Sequence, residues 1–468
     1  MSSIVKILKN KNAKAGSFYL IGNIFNKAIV FLTIPIFTRL MSTTDFGIVN
    51  TYMSWVSILS LIVGLSLGSS IRSAYMDFKD SLEEYISSIL FLSLINFVIS
   101  STLIITFSYL FIKQIDIFLI LLCLIQSYMT FISNTISVKY MVKMDYVKNT
   151  LLLALPNTIV AILSVLFLIN MDSHKYLGRI IPYVIVTSIL GCYYLIRYFV
   201  KEKTFVNRTY WKYAVLLSIP LIFHGLSVNV LSVSDRTMIT AFRSASETGI
   251  YSLVYNLSMI PLVVTTSMES IWIPWFNNKL QNGERNIINR NVKIYIEIIV
   301  IVMIGLLFIG PEILVVMAPK EYWSGKILIP PILLASFFIF LYSISVDLEY
   351  YYKSTKIIAT NTIIAAFVNL GLNFIFIPKY GAIAAAYTTV IAYIVSFVVH
   401  YNAARKLDNQ LFPFSVYVKP ILIMVIAVFI SYLIMNKFIM RWTIVIIGLG
   451  LYAVISYKKH RFTILLKQ

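Results

Sequence analysis

The chain has 468 residues, of which 59% are hydrophobic and only 12% charged. A water-soluble domain carries about 25% charged residues, so this composition excludes a soluble enzyme or regulator. The formal charge of +20 comes from Lys and Arg scattered between apolar runs, which marks membrane topology and not a nucleic-acid partner.

A hydrocarbon core about 30 Å thick takes about 20 apolar residues per helix. The apolar runs predict an all-α membrane protein with helices at 15–38, 47–71, 86–111, 116–138, 149–170, 180–199, 211–235, 249–275, 293–310, 327–350, 357–377, 381–402, 417–436 and 440–457. Lys6, Lys9, Lys11 and Lys14 precede the first run, which is too long for a secretory signal and is expected to be an uncleaved helix. The even count puts both termini on one side. The basic N-terminus, Arg197–Lys212, residues 276–293 and the C-terminal tail then share the cytoplasmic side, as the positive-inside bias requires. The two cysteines, Cys123 and Cys192, lie in apolar runs, and the four His are dispersed, so neither a disulfide framework nor a metal site is expected.

Ser42-Thr43-Thr44-Asp45-Phe46-Gly47-Ile48 stands between the first two helices, and Ser244-Ala245-Ser246-Glu247-Thr248-Gly249-Ile250 between the seventh and eighth. Locally each reads as a capping box. Their recurrence predicts two six-helix lobes, 1–200 and 201–402, around a central cavity. Residues 403–468 add two helices and a tail. Facing repeats with a binding site near the midplane are a recurring transporter plan.

Helix 1 places Tyr19, Asn23, Asn26 and Lys27 on one face. Helix 2 carries Ser54, Ser57, Gly64, Gly68 and Arg72 on one stripe, and helix 7 carries Ser218, Gly225, Asn229, Ser232 and Arg236. Helix 10 adds Ser336, Ser343, Asp347 and Tyr350, and helix 11 adds Asn361, Asn369 and Asn373. Ser, Gly and Asn at such spacings also serve as interhelical glue. Helices 1, 2, 7, 8 and 10 are the candidates to line the cavity. Lys27 is the sharpest residue, because a Lys at mid-helix costs about 2.5–3.5 kcal/mol and needs water, an anion or a carboxylate. The expected substrate-contacting set is Lys27, Asn23, Asn26, Arg72, His224, Asn229, Asp235 and Arg236. Glu269, Asp347 and Glu349 form a candidate inner gate or ion-coupling group, paired with Arg72 or Lys353. Pro35, Pro156, Pro220 and Pro261 are expected to interrupt helices 1, 5, 7 and 8.

Pro35-Ile36-Phe37-Thr38-Arg39-Leu40, with Asp45-Phe46-Gly47, resembles the end of the first helix in bacterial polysaccharide exporters. Ser218-Ile219-Pro220-Leu221, Asp235-Arg236-Thr237-Met238-Ile239 and Gly249-Ile250-Tyr251-Ser252 resemble their seventh and eighth helices. The resemblance is to O-antigen and capsule flippases of the multidrug/oligosaccharidyl-lipid/polysaccharide exporter superfamily. It implies a bacterial inner-membrane protein that moves an undecaprenyl-pyrophosphate-linked oligosaccharide between leaflets by alternating access. The lipid II flippase is a looser match, since helix 1 offers one Lys where that protein presents several Arg. A multidrug antiporter is expected to show an acidic site in its N-terminal lobe instead. A membrane glycosyltransferase or polymerase needs a long external loop, which is missing, so no enzyme is expected. No Walker loop is present, and no cofactor is expected. The expected partners are the lipid-linked glycan and membrane lipids. The polysaccharide polymerase machinery and a coupling ion, H+ or Na+, are candidates.

Overall fold

The computed structural model describes residue 29, residues 31–111 and residues 116–458, without the side chains of 220, 224, 449 and 451–458. Among the described residues the chain is helical and has no strand. It divides into two compact units, Met1–Thr240 and Ala241–Gln468.

The first unit contains α1 (Phe31–Leu40), α2 (Thr43–Val63), a 3-10 turn at Leu67–Ser70, α3 (Ile71–Asp77), α4 (Leu82–Phe111), α5 (Ile117–Val142), α6 (Tyr146–Ile169), α7 (Lys175–Lys201) and most of α8 (Arg208–Phe242). Its middle is formed by α5, which packs on α2, α6 and α7. The outer faces carry exposed Leu103, Phe107 and Leu110 on α4 and Leu151, Leu155 and Ile162 on α6. Helices apolar all round suit lipid on one side and packed neighbours on the other. Near the helix ends at the predicted cytoplasmic side, Glu83 binds Lys139 at 2.7 Å, Lys143 at 2.5 Å and the Tyr198 hydroxyl at 2.9 Å, tying α4, α5 and α7 together.

The second unit contains α9 (Ala245–Asn256), α10 (Met259–Gln281), α11 (Arg285–Met317), a 3-10 segment at Lys320–Leu328, α12 (Ile329–Tyr351), α13 (Thr355–Leu407), α14 (Ser415–Leu433) and α15 (Phe438–Lys458). Its core is the α12–α13 pair, with α11 bridging to α14 and α15.

Among the described residues ten helical segments are long and apolar enough to cross a bilayer, or eleven when the bent α8 is included. One of them, α13, has 53 residues and breaks at Gly381, whose φ of 62° and ψ of −142° are not helical. At 1.5 Å per residue it is about 80 Å long, enough for two crossings. The shorter apolar helices Phe31–Leu40 and Phe438–Gly448 stand where the first and last crossings are expected.

Three elements differ from the sequence expectation. Helix 2 is not continuous over 47–71. It unwinds after Val63, with Leu65 and Ser66 in left-handed backbone at φ 48° and 47°. The close approach of α5 accompanies this break: a Cβ at Gly64 would overlap the Phe131 ring, and one at Gly68 would crowd Thr135. Helix 7 runs on to Phe242 instead of ending at 235, and it bends by 41° between Ile219 and Leu221. Helix 8 is two helices, α9 and α10, parted at Leu257–Ser258. Pro261 sits in the first turn of α10, where its missing N–H costs no intrahelical bond.

Candidate functional site

In both Ser-x-x-acid elements the serine caps the helix start. The Ser42 Oγ accepts from the Asp45 amide at 3.0 Å, and the Ser244 Oγ accepts from the Glu247 amide at 3.1 Å. Each acid also reaches a distant helix. Asp45 Oδ1 accepts from the Tyr176 amide at 3.2 Å, at the start of α7. Glu247 Oε1 accepts from the Ala382 amide at 2.6 Å, at the start of the second half of α13. Each contact lies next to left-handed backbone, at His174 (φ 50°) and Gly381 (φ 62°). A carboxylate at a helix N-terminus meets unpaired N–H groups and the positive end of the dipole.

In the first unit the polar stripes of α2 and α8 face each other. Thr51 Oγ1 lies 2.6 Å from Thr240 Oγ1, Ser57 Oγ donates to Asn229 Oδ1, and a Cβ on Gly225 would touch Leu61. Asn229 also donates to the Gly225 carbonyl at 2.9 Å. These contacts run antiparallel and act as interhelical glue. At the break in α2, Asn96 donates to the Ile62 carbonyl at 3.0 Å, which the Leu65 amide also reaches at 3.1 Å, and to the Val63 carbonyl at 2.8 Å.

Among the expected substrate-contacting residues, Arg72 is exposed on α3 and Asp235 is buried within the last turns of α8. The Arg236 guanidinium donates to the Ser232 carbonyl at 3.4 Å. Lys27, Asn23 and Asn26, and the side chain of His224, lie outside the described residues.

A cation that sequence reasoning passed over is Arg179 on α7. It donates to Ser164 Oγ at 3.2 Å, and its guanidinium sits 4.0 Å from the Phe37 ring centroid and 6.0 Å from that of Tyr183. The groups found around it are thus a hydroxyl and two aromatic rings. Its sequence signal was an Arg one residue before the predicted crossing at 180–199, beside Gly178, and such a position reads as interfacial.

The acids of the second unit do not form one group. Glu269 and Asp347 lie within electrostatic reach of each other, with Trp272, Tyr295 and Tyr342 around them. Glu349 turns away. Residues two apart on a helix point about 200° apart, so Asp347 and Glu349 occupy opposite faces of α12. Glu349 Oε2 pairs with His400 Nδ1 at 2.8 Å, both side chains fully buried, instead of with Arg72 or Lys353. On α13, Asn373 donates to Asn369 at 3.0 Å and its Oδ1 accepts from the Thr388 hydroxyl, which ties the two halves of α13 together. Among the described residues no group of three or more His, Cys, Asp and Glu side chains fits a metal ion.

Comparison with known proteins gives a consistent frame. The family model described as "Polysaccharide biosynthesis protein" matches residues 13–279. The chain is 26% identical over 413 residues to the capsular polysaccharide biosynthesis protein CapF of Staphylococcus aureus, covering 84% of this chain and 98% of that one. In fold it is similar to the lipid II flippase MurJ in an inward-closed conformation, with a TM-score of 0.67, 16% identity and coverage of 94% of this chain and 99% of that one. It is also similar to a MOP superfamily transporter from Pyrococcus furiosus, at a TM-score of 0.56, 16% identity and coverage of 86% and 98%.

Proposed function

Since the chain belongs to the polysaccharide biosynthesis protein family, we propose that it is a flippase for undecaprenyl-pyrophosphate-linked oligosaccharide, working by alternating access in the bacterial cytoplasmic membrane with both termini in the cytoplasm. The observation that supports this reading is a cation enclosed among the helices of the first unit. Arg179 lies there beside the Ser164 hydroxyl and the Phe37 and Tyr183 rings. A pyrophosphate cannot cross about 30 Å of hydrocarbon without cationic and polar compensation. Lys27, with Asn23 and Asn26 on its helix face, supplies that compensation in this reading, and Arg179 is a second cation in the same unit. Arginine suits a phosphate through its planar fork, and lysine as a point charge.

The six-plus-six division into 1–200 and 201–402, followed by 403–468, is supported by the recurrence of the acid-to-amide contact at separations of 131 and 135 residues. Two further crossings then complete a set of fourteen. The lipid II flippase and the multidrug antiporter are the competing assignments, and the substrate separates them.

The test is a Lys27→Ala variant, followed by both membrane abundance and surface polysaccharide. The expected result is near-normal abundance with surface glycan lost. A purely structural ion pair would strand its carboxylate at a cost of about 3–5 kcal/mol and lower the amount of folded protein. Normal export from the variant would remove Lys27 from the substrate path.

A further inference from the structure

In the first unit, the exposed apolar faces of α6 and α7 both end in a cation. On α6, Leu155 and Leu151 lead to Lys148, and on α7, Ile189 and Tyr193 lead to Arg197. Spacings of three and four residues keep each set on one helix face. The two helices pack along each other, and Lys148 and Arg197 lie within electrostatic reach. Tyr140, at the end of α5, gathers the same groups. Lys148 Nζ is 6.0 Å from its ring centroid, Lys139 Nζ is 5.7 Å from it, and Arg197 is within electrostatic reach of it. We infer that this corner binds the phosphate of an anionic glycerophospholipid, whose acyl chains lie along the exposed seam of α6 and α7. Placing that lipid in the cytoplasmic leaflet rests on the sidedness proposed above, whereas the binding itself does not.

Charge is left over at this corner. Lys139 and Lys143 share Glu83, at 2.7 and 2.5 Å, and Lys148 binds Asp145 at 2.5 Å. Arg197 lies within electrostatic reach of Lys139 as well as Lys148. Four cations against two carboxylates leave two positive charges in excess. Among the described residues Arg197 forms no ion pair. It donates to the Tyr193 hydroxyl at 3.5 Å, and it has Tyr140 and Tyr198 in electrostatic reach. Lys201, one turn further on, is matched by Glu202 at 3.3 Å and does not change the balance. Like charges repel more strongly beside hydrocarbon than in water, so an anion among them is favoured. The arginine fork suits phosphate oxygens, and lysine adds a point charge.

The surface leading away from the cations selects the occupant. A free phosphate would use Arg197 and Lys148 but leave Leu151, Leu155 and Ile189 bare. A glycan would need hydrogen-bonding groups beyond the phosphate, and those three side chains offer none. A phospholipid uses both parts, with its head group on the cations and its chains on the apolar stripes. Tyr193 and Tyr194, with ring centroids 5.1 Å apart, stand at the junction, a place that tyrosine favours in membrane proteins. Basic pockets between membrane helices hold anionic head groups in the same way.

The test is native mass spectrometry of the full-length protein, delipidated in detergent and titrated with dioleoyl phosphatidylglycerol or dioleoyl phosphatidylcholine. The unmodified protein should retain one phosphatidylglycerol that phosphatidylcholine does not displace. Equal retention of the two lipids would overturn the site, and that comparison needs no variant. Each cation removed should weaken retention about fivefold, first in Arg197→Gln and again when Lys148→Gln is added. Arg197→Lys should keep most of the affinity, which separates loss of charge from loss of packing. Lys201→Gln is the control: if it weakens retention as much as Arg197→Gln, the attraction is diffuse surface charge and the site is overturned. Undecaprenyl pyrophosphate is titrated in parallel. Loss of its binding in Arg197→Gln, with phosphatidylglycerol retention unchanged, would make Arg197 a substrate contact and overturn the lipid assignment. Failure of the protein to move any glycolipid would count against the transport reading alone, because lipid retention is read without transport.

Discussion

The Glu247 carboxylate accepts a hydrogen bond from the Ala382 amide at 2.6 Å, across 135 residues of chain. Asp45 does the same for the Tyr176 amide in the first unit. In both places a serine caps the acid's own helix, and the acid caps a second helix start far along the chain. Glu247→Ala is expected to destabilise the protein by about 1–3 kcal/mol, as loss of a charge-assisted bond implies. Thermal unfolding in detergent measures it, and an unchanged midpoint would contradict the clamp.

Gly381 supplies a sharper version of the same test. Its φ of 62° strains an L side chain, and a Cβ there would overlap the Glu247 carboxylate. Gly381→Ala should therefore destabilise more than Glu247→Ala. The double variant should recover part of that loss, because the overlap disappears with the carboxylate. Strictly additive losses would show that the two residues do not press on each other.

Asn96 is expected to hold the break in helix 2. Asn96→Leu leaves the Ile62 and Val63 carbonyls without their side-chain donor, at a cost of about 1–3 kcal/mol. Folded yield from solubilised membranes would report it. An undiminished yield would mean that other groups satisfy the break.

Arg441 is nearly enclosed, at 5% exposure, and binds Glu312 through both terminal nitrogens at 2.5 and 3.0 Å. Arg441→Ala should strand that carboxylate and lower the amount of folded protein, by about 3–5 kcal/mol if the pair is fully desolvated. Arg441→Lys should recover only part of it, since lysine lacks the fork. Equal abundance for Arg, Lys and Ala would show that α15 docks without this pair.

Much of this structure was legible because apolar runs and their polar breaks translate directly into crossings. The predicted ends at 111, 170, 350 and 402 fall within a few residues of helix ends or continuations at Phe111, Ile169, Tyr351 and Leu407. The serine caps were legible because a Ser followed three residues on by an acid marks a helix start. Three features were not. The break at Leu65 and Ser66 has no glycine at its left-handed positions and is accompanied by Phe131 and Thr135 packing from another helix. The polar stripe of α8 read as cavity lining, yet Asn229 is occupied by Ser57 and Gly225. The grouping of Glu269, Asp347 and Glu349 followed their shared position toward the cytoplasmic helix ends, whereas the helix turns Asp347 and Glu349 to opposite faces and His400 meets Glu349 from 51 residues away.

Sidedness is a further consequence of the basic segments. Cysteines placed at Lys201 and Lys320 should label from opposite sides of the membrane, Lys201 from the cytoplasm. Labelling from the same side would overturn the crossing pattern between α7 and the Lys320–Leu328 segment.

The central claim concerns the substrate, and reconstitution addresses it without reliance on any variant. Purified protein in proteoliposomes would be offered undecaprenyl-pyrophosphate-linked oligosaccharide, lipid II and a cationic dye, each scored for movement across the bilayer. The expected result is protein-dependent movement of the oligosaccharide lipid, well above that of lipid II, with no dye transport. Movement of the dye or of lipid II, with the oligosaccharide lipid left in its original leaflet, would contradict it.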